Sequence, residues 1–192
     1  MNRIAIKTKN KKIDLFPVEK TKAETEKIPH LTVFNMILVD KNTAILFRIS
    51  KECDFKGFWT FVAGHIESMK EGKKPVLSVI RETKEETGIE LDENELYVLG
   101  KKELKKTKSY RISKEDLIKE AEISKNLGFN IEPPHLVLPF VSFLKEKDRI
   151  ILGNELDKFE KVKIDGLDGY KMTPITKIMV ERFLKLSNSN II

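Results

Sequence analysis

Apolar positions along the chain fall into two rhythms, short runs of strand length and stripes of helical period, separated by polar stretches. Leu31–Val39 and Thr43–Ile49 are nearly continuous apolar runs joined by Asp40-Lys41-Asn42, a turn-rich link that predicts a hairpin. Lys51–Gly57 is polar and leads into Trp59-Thr60-Phe61-Val62-Ala63-Gly64-His65-Ile66-Glu67, a strand running into a glycine turn. A helix is predicted over Pro75–Thr87, with Pro75 in its first turn and Gly88 just past its end. Glu95–Leu104 reads as a strand, and Ser113–Leu127 as a charged surface helix capped by Ser113. Leu136–Leu144 and Arg149–Leu152 bracket Lys145-Glu146-Lys147-Asp148 as a second hairpin, and a strand follows over Phe159–Ile164. Thr173-Pro174 opens a last helix whose Ile175, Ile178, Met179, Phe183 and Leu186 form an apolar stripe for the core. Residues 1–27 are polar apart from Ile4-Ala5-Ile6 and Ile13-Asp14-Leu15-Phe16, an N-terminal extension that reads as an edge hairpin, so residues 28–192 form the main domain. The alternation of strands and helices predicts the α/β class.

The helix carries the informative chemistry. Helical geometry places Glu82, Glu85 and Glu86 within about a 100° arc, while Val76, Val79, Ile80 and Thr83 occupy the neighbouring arc. Like charges such as Glu82 and Glu86, one turn apart, destabilise a helix by roughly 0.2–0.5 kcal/mol. A cation between them would remove that cost, and clustered carboxylate oxygens suit a hard ion such as Mg²⁺. On charge alone, a solvated helix face explains the same run.

Arg81-Glu82-Thr83-Lys84-Glu85-Glu86-Thr87-Gly88-Ile89, with Gly64 upstream, resembles the box of the Nudix hydrolase family. Gly64 to Arg81 is three residues longer than the family spacing, which puts an insertion around Ser68-Met69-Lys70 and leaves Lys73 where the box has its first glutamate. Thr83 stands where the box has an aliphatic residue, and Ala63 where it often has a glycine. The resemblance implies an α/β/α sandwich with a mixed sheet between helices, and hydrolysis of a diphosphate linkage in a nucleoside diphosphate derivative or related organic pyrophosphate. It implies Mg²⁺ or Mn²⁺ held by Glu82, Glu85, Glu86 and the backbone carbonyl of Ala63, with Arg81 orienting the glutamates. Glu82 or Glu155, the latter in Gly153-Asn154-Glu155-Leu156, would be the base, although Glu155 reads equally as an ordinary turn carboxylate.

Ile13-Asp14, His30, the Phe34–Asp40 strand and Phe58-Trp59 before Ala63-Gly64-His65 resemble the branch related to isopentenyl-diphosphate isomerases. Those enzymes carry a catalytic cysteine directly before the Gly-His pair, where this chain has Ala63; Cys53 lies in the polar loop. A methyl group cannot carry a proton, so isomerisation by that route is not expected. A Nudix fold that binds a nucleotide or a protein without catalysis is the alternative favoured by Lys73 and the insertion. His65 and Trp59 read more simply as a loop histidine and strand packing than as ligand contacts.

Composition allows an enzyme without naming one. The chain has 192 residues, 40% hydrophobic and 34% charged, enough for one well-buried domain. A single cysteine rules out an internal disulfide and suits a reducing cytoplasm. No apolar stretch reads as a secretory signal or a membrane span. A net charge of +6 suits a small-molecule diphosphate as partner, but the lysines are spread along the chain and give no clear nucleic-acid signal. A homodimer is compatible with this composition, which does not specify it.

Overall fold

The computed structural model describes residues 4–7, 12–15, 30–51, 53, 55–67, 71, 74–99, 104–106 and 135–187. The expected helix over Ser113–Leu127, the insertion at Ser68–Lys70 and Lys73 lie outside these residues. The chain divides into two compact units. One comprises Met1–Val33, Gly64–Ser78 and Arg111–Leu138; the other comprises Phe34–Ala63, Val79–Tyr110 and Pro139–Ile192.

In the first unit, β1 (Ile4–Lys7) and β2 (Lys12–Leu15) pair antiparallel as a separate two-stranded sheet, with Ile4 opposite Leu15. The Glu71 carboxylate accepts a hydrogen bond from the Glu67 backbone N–H at 2.8 Å. Leu77 and Ser78 donate their N–H groups to the carbonyls of Lys74 and Pro75, so the chain is already coiled as it enters the next helix.

The second unit holds most of a sheet whose strands run β10-β4-β3-β9-β7-β8, with β5 beside β4 and β6 beside β3; residues 30–33, 64–65 and 135–138 of these strands are counted with the first unit. These strands are β3 (His30–Asp40), β4 (Thr43–Ile49), β5 (Trp59–Thr60), β6 (Val62–His65), β7 (Tyr97–Leu99), β8 (Leu104–Lys106), β9 (His135–Phe143) and β10 (Leu156–Lys163). The β3–β4 hairpin closes as the sequence predicts: Ile37 faces Ile45, and the Asn42 N–H bonds to Asp40 Oδ1 at 2.7 Å. Consecutive strand residues face opposite sides of a sheet. Met36 and Ile37 are nevertheless both fully buried, as are Leu46 and Phe47, so both faces of the central strands are covered. The helices are α1 (Val76–Thr87) and α2 (Pro174–Ser187), giving an α/β fold with a mixed sheet. Among the described residues no helix is long and apolar enough to cross a membrane.

Three expectations need correction. Glu95–Leu104 is not one strand: Asp92 caps a 3₁₀ turn over Glu93–Glu95, its Oδ1 accepting from Asn94 N–H at 2.8 Å while Glu95 Oε2 accepts from Asp92 N–H at 2.9 Å. That reciprocal cap keeps Glu93–Glu95 out of extended conformation; the chain extends again at Leu96, and β7 then pairs antiparallel with β8. Arg149–Leu152 forms no strand; its Ile151 N–H turns instead to the end of α1, as described below. The core stripe of α2 is rotated from the predicted one: Thr176, Met179, Val180, Phe183 and Leu186 are buried, whereas Ile175 and Ile178 are only half-buried. Thr176 Oγ1 donates to Thr60 Oγ1 at 3.2 Å, which draws that helix face onto β5.

Candidate active site

Helix α1 ends because Gly88 takes a left-handed φ of +70° and donates its N–H to the Lys84 carbonyl at 2.9 Å, the conformation that closes helices. The face it buries includes Val76, Val79, Thr83 and Thr87. It also buries two carboxylates one turn apart: Glu82 and Glu86 retain only 8% and 7% of their accessible surface. Glu85 lies on the exposed side. The three acids share an arc but not an environment.

One guanidinium nitrogen organises the outer pair. Arg81 Nη1 lies 2.9 Å from Glu82 Oε1 and 3.0 Å from Glu85 Oε2. The inner carboxylate, Glu86, sits among negative charges. Burial pushes its carboxyl well above the usual carboxylate range, and Glu82, Glu155 and Glu85 push in the same direction. The backbone N–H of Ala63, on β6, bonds to this carboxylate and opposes the shift. The sequence reading involved the Ala63 carbonyl; the contact found between Ala63 and Glu86 runs through the N–H.

Glu155 reaches Glu86 through a backbone strap. After β9, the Lys145 N–H bonds Asp148 Oδ2 at 2.9 Å and closes a tight turn. The chain then runs along the end of α1, where Ile151 N–H donates to the Thr87 carbonyl and Gly153 N–H to the Glu86 carbonyl, both at 2.8 Å. These are carbonyls that a helix terminus leaves without partners. The approach is so close that a Cβ on Gly153 would lie 2.5 Å from the Glu85 carbonyl oxygen. On the other side, the Ser50 N–H donates to the Glu155 carbonyl at 2.9 Å. Glu155 is therefore held between the end of α1 and the end of β4, with its side chain exposed and close enough to Glu86 to act on it electrostatically.

The Glu82, Glu85 and Glu86 carboxylates offer oxygen donors alone, a set that suits Mg²⁺ or Mn²⁺. The crowding at Glu86 is the kind of charge a divalent cation relieves. Among the described residues, no three His, Cys, Asp or Glu side chains converge on one point, and Arg81 engages both Glu82 and Glu85. Trp59 packs edge-on against Tyr170, ring centres 5.2 Å apart, with the Lys158 ammonium 5.6 Å from its own centre. Cys53 Sγ lies 3.7 Å from Ser50 Oγ. His65 is half-buried in the first unit.

Sequence reasoning passed over Asn35 and Ser142, which meet Thr83 behind the glutamates. Asn35 Nδ2 donates to Thr83 Oγ1 at 3.1 Å and to Ser142 Oγ at 3.0 Å. The signal was present: each is a lone polar residue within an apolar run.

A family model described as NUDIX domain matches residues 29–181. No curated protein matches the sequence. Among solved structures, the MutT protein of Methanosarcina mazei shares 19% identity, the alignment covering 84% of this chain and 96% of that one, with a TM-score of 0.53. The MutT NUDIX hydrolase of Burkholderia pseudomallei shares 16% over 80% of this chain and 97% of its own, TM-score 0.55. The NUDIX domain of Shewanella oneidensis NrtR, solved with ADP ribose, shares 11% over 88% and 98%, TM-score 0.56. The likenesses to solved structures rest on the fold; the family model spans both the Arg81–Ile89 box and the Glu155 strap, and the chain belongs to the Nudix hydrolase family.

Proposed function

We propose that this chain is a divalent-metal-dependent hydrolase that cleaves a diphosphate linkage in a nucleoside diphosphate derivative or related organic pyrophosphate. The observation that carries the reading is the burial of Glu82 and Glu86 on one helix face with Glu155 beside them. Arg81 offsets the charge of Glu82, but taking Glu86 out of water among like charges costs several kcal/mol, a cost that a bound cation would relieve. Glu82, Glu85, Glu86 and the Ala63 carbonyl would hold Mg²⁺ or Mn²⁺. When bound, the cation neutralises charge on the phosphate oxygens.

The chain's own residues divide the remaining work. Arg81 holds the carboxylates of Glu82 and Glu85 in a fixed relation through charge-assisted hydrogen bonds. Water oxygen attacks a phosphorus, the bridging P–O bond breaks, and the water's proton passes to Glu82 or Glu155 as general base. Glu155 has an exposed side chain on a backbone held by hydrogen bonds, which lets it face an incoming substrate.

A second reading, nucleotide binding without cleavage, is favoured by one observation: Arg81 engages the two carboxylates that the ion would need. A Mg²⁺-dependent screen over ADP-ribose, nucleoside triphosphates, dinucleoside polyphosphates and prenyl diphosphates tests both. Release of phosphorylated products supports hydrolysis. Saturable binding of a nucleotide in calorimetry with no product from any substrate overturns hydrolysis in favour of the second reading.

A further inference from the structure

The carboxylate helix meets the sheet through polar contact at a place where apolar packing would be simpler. Asn35 on β3, Ser142 on β9 and Thr83 on α1 are all buried, at 1%, 0% and 0% exposure. The Asn35 amide donates to both hydroxyls, and its Oδ1 has no hydrogen-bond partner among the described residues. Turning the amide over only exchanges which of its ends is unpartnered. A buried polar atom left unpaired costs about 1–3 kcal/mol, whereas apolar groups of the same shape in place of the whole cluster would be neutral or stabilising. Stability therefore does not explain this seam.

Direction does. Apolar surfaces slide over one another, but a forked amide bonded to one hydroxyl on the helix and another on a strand fixes both distance and rotation. Thr83 is the residue after Glu82 and lies three before Glu86. Its carbonyl also accepts from Thr87 Oγ1 at 2.5 Å, so the last helical turn is tied to the same residue. A carboxylate tip about 6 Å from a helix axis moves about 2 Å when the helix turns by roughly 20°. A displacement of about 1 Å is enough to lower turnover roughly a hundredfold in well-aligned sites.

We propose that Asn35, Thr83 and Ser142 are positioning residues that set the rotation of α1 and so aim Glu82 and Glu86. None of the three touches substrate. The assignment rests on the reading above, that these glutamates form the working face.

The test uses the full chain and Mn²⁺ as probe, titrated by electron paramagnetic resonance, with melting temperature measured alongside. Thr83→Val should weaken Mn²⁺ affinity roughly tenfold, the lower end of what loss of an outer-shell partner brings. Thr83→Ser, which keeps the hydroxyl, should bind as the wild type does. The triple variant Asn35→Leu, Thr83→Val, Ser142→Ala should melt no lower than wild type yet bind Mn²⁺ weakly. Wild-type affinity in Thr83→Val or in the triple variant overturns the proposal, as does an affinity loss that Thr83→Ser shares. Should the triple variant fail to fold, the Thr83→Val and Thr83→Ser pair decides alone. A wild type that binds no Mn²⁺ overturns the metal reading instead, and hydrogen exchange over residues 79–87 then decides. Faster exchange in Thr83→Val than in Thr83→Ser upholds the positioning role, and equal exchange overturns it.

Discussion

Replacing Gly153 with alanine probes the strap that delivers Glu155. The new Cβ would meet the Glu85 carbonyl oxygen at 2.5 Å and the Glu86 Cα at 3.3 Å, both backbone atoms that cannot rotate away. Restoring an ordinary 3.4 Å contact requires the strap to retreat from 2.5 Å, by about 0.9 Å. Overpacking of this kind costs about 1–3 kcal/mol, and loss of the Gly153–Glu86 backbone bond adds about 1 kcal/mol. For a protein of this size the melting temperature should fall by roughly 4–16 °C. Because the retreat carries Glu155 away from Glu86, turnover should drop by up to about a hundredfold. Gly166→Ala is the control: nothing lies within 4 Å of its added Cβ, so stability should hold or rise by about 0.4–1 kcal/mol. Thermal melting and Mg²⁺-dependent hydrolysis measured on both variants decide the matter. If Gly153→Ala melts and turns over like Gly166→Ala, the strap does not constrain the site.

Glu86→Gln should raise the melting temperature of the metal-free protein at neutral pH and flatten its pH dependence. The folded carboxyl is raised, so the stability it contributes is full below the ordinary carboxylate value of 4.5 and is lost as pH rises toward the raised folded value. A wild-type melting curve that does not fall over that range contradicts the crowding described here. Replacing the true base, Glu82 or Glu155, with glutamine should cut turnover roughly 10²–10⁴-fold while substrate still binds in calorimetry. Hydrolysis in ¹⁸O-water should place label on a phosphate of one product, and label on neither product's phosphate would exclude attack at phosphorus. Asp92→Ala should lower stability by about 0.5–1 kcal/mol through loss of the 3₁₀ cap while hydrolysis is unchanged.

The fold was legible where local and global signals agree. Asp40-Lys41-Asn42 marks its hairpin because turn residues and apolar strands coincide, and Pro75 and Gly88 bracket α1 because each has a backbone reason to sit there. The glutamate face was legible from helical period alone. What the period cannot tell is depth: Glu82 and Glu85 share an arc, yet one is buried and one exposed, because burial depends on strands distant in sequence. Arg149–Leu152 looks like a strand from its apolar residues, but the Thr87 carbonyl at the end of α1 takes the Ile151 donor. Asn35, Thr83 and Ser142 were visible singly as polar intruders; only tertiary structure joins residues 48 and 107 positions apart.

The strap has a consequence for how the chain tolerates change. Glu155 takes its position from two anchors, the last carbonyls of α1 and the Ser50 amide at the end of β4. Neither anchor involves the Lys145–Asp148 turn, so residues added at Glu146-Lys147 would bulge outward and leave the acid where it is. A single residue added between Gly153 and Leu156 would push Glu155 out of place, however conservative its side chain. Sequence length is thus free at the Glu146-Lys147 turn and fixed from Ile151 to Leu156, and a tag or a fused domain would be accommodated at the first place and not at the second.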